Sequence, residues 1–249
     1  MVIKVTAMAT NGAGNETVRL SPSIAKILLD KSPKHAWLAH RLLGGQGKKP
    51  SAAQVKGSAV DAMVFGGTVP KLTAAAQEEA EAIAGSIKDA LQSRGIVGTP
   101  QYRIEWNSDG TDCSGVVDLF NYNEGRFWEL KTSHDLSDYN IVKQIEQYRY
   151  DLQIAAYIEG LNAHEPNFDL DAEGTFIFAE TSPPYDVRFV SVTPRMLERG
   201  KADWREAVSR WSQCMKSNHW PGRGDFTADV SAWRQKQAAE EWLKDSGIE

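Results

Sequence analysis

The sequence predicts a single α/β domain built around a mixed central sheet. Three observations carry this reading. Helical periodicity fills residues 20–95, three short β-branched and aromatic runs follow in close succession, and a long helical stretch separates them from two further strands. A chain of 249 residues, 41% hydrophobic and 24% charged, is long enough to bury one large core.

Each element has its own signal. Residues 1–18, with the small polar run NGAGNET, read as a disordered lead-in. The first helix takes Ser21 or Ser23 as its N-cap and carries Ile24, Ile27 and Leu28 as an apolar stripe. Ser32-Pro33 restarts a helix, with proline at the first helical position, and that helix runs to the glycines of LLGGQG. A third helix covers 52–65, and a fourth opens at Thr73 and stops at Gly95. QYRIEW, CSGVVDLF and RFWELKT, divided by SDG and NYNEG, form a β-meander. One long helix over 139–161 then places Ile141, Ile145, Tyr148, Leu152 and Ala155 on its core stripe. GTFIFAE and YDVRFVSV are two more strands around the turn TSPP. Thr193-Pro194 starts another long helix whose Trp204 and Trp211, seven apart, belong to the core. Trp220, Trp233 and Trp242 read as packing under the tail, with stacking on bases or docking of a neighbouring subunit as the alternatives. The domain is expected over 19–228, with a helical part at 19–95 and the sheet with its helices at 100–220; residues 229–249 form a charged helical tail.

Composition removes several function classes. The net charge of −5 makes the chain no polycation, so a nucleic-acid role must rest on local patches. One such patch lies between Arg19 and Lys56, where eight basic residues face a single acid, Asp30. Two distant cysteines, Cys113 and Cys214, exclude a disulfide scaffold, a four-Cys zinc site and an iron–sulfur cluster. There is no glycine-rich phosphate loop, so no nucleotide cofactor is expected. With no signal-peptide run and no membrane-length apolar stretch, the protein is expected to be soluble and cytoplasmic, with no membrane partner.

The chemistry concentrates at one place. Asp118 ends an apolar strand, and Glu129 and Lys131 share one side of the next, with Leu130 turned to the other. The NYNEG turn can bring Asp118 beside Glu129, gathering two carboxylates and an ammonium, with the Leu130 carbonyl as a further oxygen. A hard cation such as Mg²⁺ takes about two carboxylates and completes its shell with waters and phosphate oxygens. Lys131 is the only lysine preceded two positions earlier by an acid. The same residues also suit a cross-strand salt bridge on a solvated face, worth about 0.2–1 kcal/mol. Gln153 and Tyr157, four apart, share a helical face that, read alone, is an ordinary polar one.

In this order, strand Asp, Glu-x-Lys-Thr and helical Gln-x-x-x-Tyr resemble the PD-(D/E)xK nucleases. More narrowly they resemble the RecB-type and RecE-type exonuclease branch, to which the lambda-type phage exonucleases are related. LSPSIAKILLDKSPKHAW is similar to the opening of the RecE-like group, and KGSAVDAMVFGG to a glycine-led helix in it; the resemblance covers residues 20–195. It implies a restriction-endonuclease-like core and a DNA exonuclease dependent on Mg²⁺ or Mn²⁺, with one or two ions. That enzyme would act 5′→3′ on double-stranded ends and yield single strands for phage-type recombination in a bacterial host. Carried onto this sequence, the resemblance makes Asp118 and Glu129 metal ligands together with the Leu130 carbonyl. Lys131 becomes the catalytic lysine, and Gln153 and Tyr157 orient it and contact nucleic acid. Asp61 stands where relatives carry a histidine ligand, and is either a replacement ligand or a helix-surface acid. Glu105 is a secondary acidic candidate. Ser23, Lys26 and Lys34 would hold the 5′ end, with Arg103 and Thr132 as further phosphate contacts. A toroidal trimer or tetramer and a single-strand annealing partner are likewise implied. Two rival readings stay open: an endonuclease of this fold in defence or repair, and a catalytically silent DNA-binding member.

Overall fold

In a computed structural model of the chain, residues 16–47, 49–164 and 174–245 are described. Serine and threonine caps start the N-terminal helices. Ser21 accepts from the Ile24 N–H at the head of α1 (Pro22–Asp30), and Ser32 repeats the device for α2 (Pro33–Ala39). Ser51 and Gln54 form a reciprocal capping box at α3 (Ala52–Phe65), and Thr73 caps α4 (Ala74–Ser93).

Five strands follow the order β1 (Thr99–Ser108), β2 (Thr111–Asn121), β3 (Arg126–Ser133), β4 (Gly174–Glu180) and β5 (Val187–Ser191). The first three are an antiparallel meander, β3 and β4 run parallel, and β5 returns antiparallel, so the sheet is mixed as expected. The parallel step needs a crossover. It is supplied by α5 (Asp138–Gln147) and α6 (Tyr150–His164), after which come α7 (Pro194–Ser217) and α8 (Ala232–Asp245).

Both faces of the sheet are covered. Alternation along β4 sends Phe176 and Phe178 into a cluster with α1, α6 and α7, and Ile177 and Ala179 into a second cluster with α3 and α4. Trp204 and Trp211 of α7 are fully buried in the first cluster, each contributing about 1.5–3 kcal/mol or more through burial.

The crossover differs from the single helix expected over 139–161. It breaks at Tyr148-Arg149, where Arg149 adopts φ 47° and bridges Asp30 of α1 and Asp203 of α7. The break leaves Tyr148 half exposed rather than in the core. Ile141, Ile145, Leu152 and Ala155 are buried as the periodicity requires. The lead-in expected over 1–18 lies mostly outside the described residues, but Val18 already packs against the first cluster and Glu16 pairs with Arg41. Trp220 packs edge-on against Trp211, whereas Trp233 and Trp242 are exposed on α8. No helix among the described residues is long and apolar enough to cross a membrane.

Two irregularities of the sheet prepare the site. The β2–β3 ladder stops at Leu119 and Trp128, so the strands part just where Asp118 and Glu129 face each other. Further along, Leu20 fills the edge of β2 that β3 has left, donating to the Asp112 carbonyl and accepting from the Ser114 N–H. The N-terminal helices are thereby stitched to the strand that carries Asp118.

Candidate active site

Where the ladder ends, side chains replace backbone partners. The Leu130 N–H donates to Asp118 Oδ2 at 2.8 Å, and the Asp118 N–H donates to Glu129 Oε1 at 3.2 Å. The N–H and C=O of one strand residue point to the same edge, so the Leu130 carbonyl also faces the gap between β2 and β3. Facing is disturbed at Asp118: Val117 joins the first core cluster and Leu119 the second, although the two are only two positions apart. A regular strand would put them on one face. The kink turns the Asp118 carboxylate towards β3.

Lys131 Nζ donates to Glu129 Oε2 at 3.3 Å and lies 4.9 Å from the centre of the Tyr150 ring. Gln153 Nε2 donates to the same Glu129 oxygen at 2.8 Å and to the Tyr157 hydroxyl at 3.2 Å. Gln153 thus holds Glu129 rather than Lys131. Its carbonyl oxygen accepts from Lys26 Nζ of α1 at 3.1 Å, and Lys26 sits 5.0 Å over the same Tyr150 ring. Tyr157 is buried over Gly115 of β2, where a Cβ would lie 2.4 Å from the ring. Only glycine permits that approach.

Burial sets the electrostatics. Glu129 is 1% exposed, and loss of hydration together with the nearby Asp118 holds its carboxyl well above the usual range. Asp118 is shifted upward by the same loss of hydration, with Lys131 and the Leu130 N–H opposing. Burial works against charge on Lys131, but Glu129 and Asp118 outweigh it and raise its pKa. Lys26 is pushed down to about 7, by burial first and then by Lys131. Asp61 of α3 is raised to about 6 by burial and by Asp118, against the pull of Lys131 and of the Gln101 amide.

The donor set suits a small hard cation. Two carboxylates and a carbonyl converge on one gap, and the single ammonium beside them is hydrogen-bonded to Glu129 alone. Among the described residues no three His, Cys, Asp or Glu side chains converge tightly enough to hold an ion alone. This is the pattern Mg²⁺ tolerates and Zn²⁺ does not, since Mg²⁺ keeps waters and takes phosphate oxygens instead of an all-protein cage.

Beside the carboxylates lies a pocket of about 280 Å³ whose walls include Ser23, Lys26, Arg103, Gln153 and Tyr157. In this pocket α1 and β1 thus place two basic side chains, Lys26 and Arg103, next to the acidic gap. Other residues singled out in the sequence are placed elsewhere. Lys34 sits on α2 with its backbone N–H on the Pro221 carbonyl, and Glu105 pairs with Arg19 at 3.0 Å, apart from the other acids. Thr132 Oγ1 lies 3.3 Å from where a Cβ on Gly57 of α3 would stand. Ser21, not Ser23, caps α1. Gln101 and Tyr150 are part of the site but belong to no motif; only the fold reveals them.

Comparison with known proteins gives the family. Residues 68–229, well over half of the chain, match the PDDEXK-like domain of unknown function DUF3799. No curated protein matches significantly. The fold is similar to the crystal structure of a candidate exonuclease from Eubacterium rectale, with TM-score 0.64, 17% identity, and coverage of 86% of this chain and 91% of that one. A phage-related exonuclease from Haemophilus somnus 129PT also aligns, with TM-score 0.42 and 12% identity over 81% of this chain and 96% of that one. The mixed five-stranded sheet, the parted strands at Asp118 and Glu129 and the family match together make the chain a PD-(D/E)xK superfamily member, belonging to the PDDEXK-like family DUF3799.

Proposed function

We propose that the protein is a metal-dependent deoxyribonuclease acting as an exonuclease on double-stranded DNA ends. The observation that carries this reading is the sharing of Gln153 and Tyr157 between the Asp118–Glu129–Lys131 cluster and the pocket bearing Lys26 and Arg103. One network therefore ties a hydrolytic centre to a recess with two basic side chains, suited to the end of a phosphate backbone.

A bound Mg²⁺ or Mn²⁺ would be held by Asp118, Glu129 and the Leu130 carbonyl, with Asp61 beside them. It would neutralise charge on the scissile phosphate and acidify a water. The chain's own residues do the positioning. Leu130 N–H and Asp118 N–H fix the two carboxylates, Gln153 holds Glu129 from the helix side, and the Tyr157 ring keeps solvent from that flank. Lys131, held cationic between the acids, offsets negative charge developing on the phosphate.

The resemblance to RecE-like and lambda-type enzymes supports the finer parts of the proposal. These are 5′→3′ polarity, one or two ions per site, a toroidal oligomer around the duplex, a single-strand annealing partner, and a phage or prophage recombination role in the bacterial cytoplasm. The test is digestion of linear and of covalently closed circular duplex DNA with Mg²⁺, with Mn²⁺ and with EDTA. Metal-dependent loss of the linear form alone is expected. Cutting of the circle would move the reading to an endonuclease, and binding without cutting to a silent member of the fold.

A further inference from the structure

Gln101 stands at a further irregularity of the sheet, in the β1–β2 ladder. Pairing on either side, Pro100 with Leu119 and Tyr102 with Val117, puts it across from Asp118, and there the pairing lapses. Its backbone adopts φ 50°, a left-handed conformation that a glutamine inside a strand rarely takes. From this kink its side chain leaves the sheet and reaches α3, where Nε2 lies 3.1 and 3.3 Å from the two carboxylate oxygens of Asp61.

We propose that Gln101 is a positioning residue that holds the Asp61 carboxylate beside the Asp118–Glu129 gap, where it reaches a divalent cation through that ion's waters; this rests on the metal-dependent reading above. The chemistry of the donor supports the role. An amide N–H fixes the direction of a carboxylate without cancelling its charge. A lysine or arginine at this place would compete with the cation, and an acid would repel Asp61. The kink falls where β1 would otherwise pair with Asp118, so Gln101 stands between that strand and Asp61 of α3. Strain of this kind persists where surrounding structure requires it.

The test is calorimetric titration of the full-length protein with Mn²⁺ in the absence of DNA. Gln101→Gly suits the left-handed backbone while deleting the amide, so it separates the clamp from the strain. It should keep the wild-type melting temperature and weaken Mn²⁺ affinity by about 10-fold, as loss of a ligand's outer partner typically does. Asp61→Ala should lose a similar factor, and the double variant should lose no more than Asp61→Ala alone, since the amide acts only through that carboxylate. Gln101→Gly affinity within twofold of wild type, or losses that multiply in the double variant, would overturn the role of Gln101. A wild type that takes up no Mn²⁺ would instead overturn the metal-dependent reading on which it stands.

Discussion

Among single residues, Asp61 offers the clearest signature of the site's electrostatics. Its carboxyl is raised from 3.8 to about 6, so between those values the folded chain binds a proton that the unfolded chain releases. The stabilisation from a neutral Asp61 is complete below about 3.8 and is lost as pH rises through about 6. Without divalent ions, wild type should therefore lose melting temperature relative to Asp61→Asn as pH is raised across that window. A difference flat with pH would mean that Asp61 is neither desolvated by burial nor held against Asp118. At this scale the sequence was partly legible. Asp118, Glu129 and Lys131 stand out because strand alternation and a short turn confine them. Lys26 and Gln153 meet across more than a hundred positions, which no local spacing encodes. Gln101 carries no signal either, since a left-handed glutamine looks like any other glutamine in a strand.

At the level of elements, close helix packing dominates. Gly200 of α7 meets α6 so tightly that a Cβ would lie 2.3 Å from the Asp151 carbonyl oxygen. That neighbour is backbone and cannot rotate away, so Gly200→Ala must push the two helices apart. A cost of about 1–3 kcal/mol is expected, read as a melting temperature about 2–10 °C lower. An unchanged melting temperature would show that the crossing is loose. The crossover also shows what periodicity misses. Residues on either side of Tyr148-Arg149 keep a helical pattern, and nothing in YRYD marks a stop. The break is imposed from outside, by Arg149 reaching Asp30 and Asp203 on two other helices. The strands were easier to read because β-branched runs bounded by SDG and NYNEG announce both their ends.

For the whole molecule, the fold was legible and its periphery was not. Burial on both faces of the sheet follows from the alternation in GTFIFAE, and the helix–strand order alone gives a mixed topology. Aromatic residues near the C-terminus suggest packing, yet Phe226, Trp233 and Trp242 are 87%, 65% and 63% exposed. Deleting residues 229–249 should accordingly shift the melting temperature by less than about 2 °C. A larger fall would show that α8 shields part of the core. Finally, the bridge from Leu20 to β2 has a mechanical consequence. The wall bearing Lys26 cannot swing away from the strand bearing Asp118 without tearing sheet-type hydrogen bonds on both sides of Leu20. That side of the cleft acts as the fixed jaw of a vice, set when the chain folds.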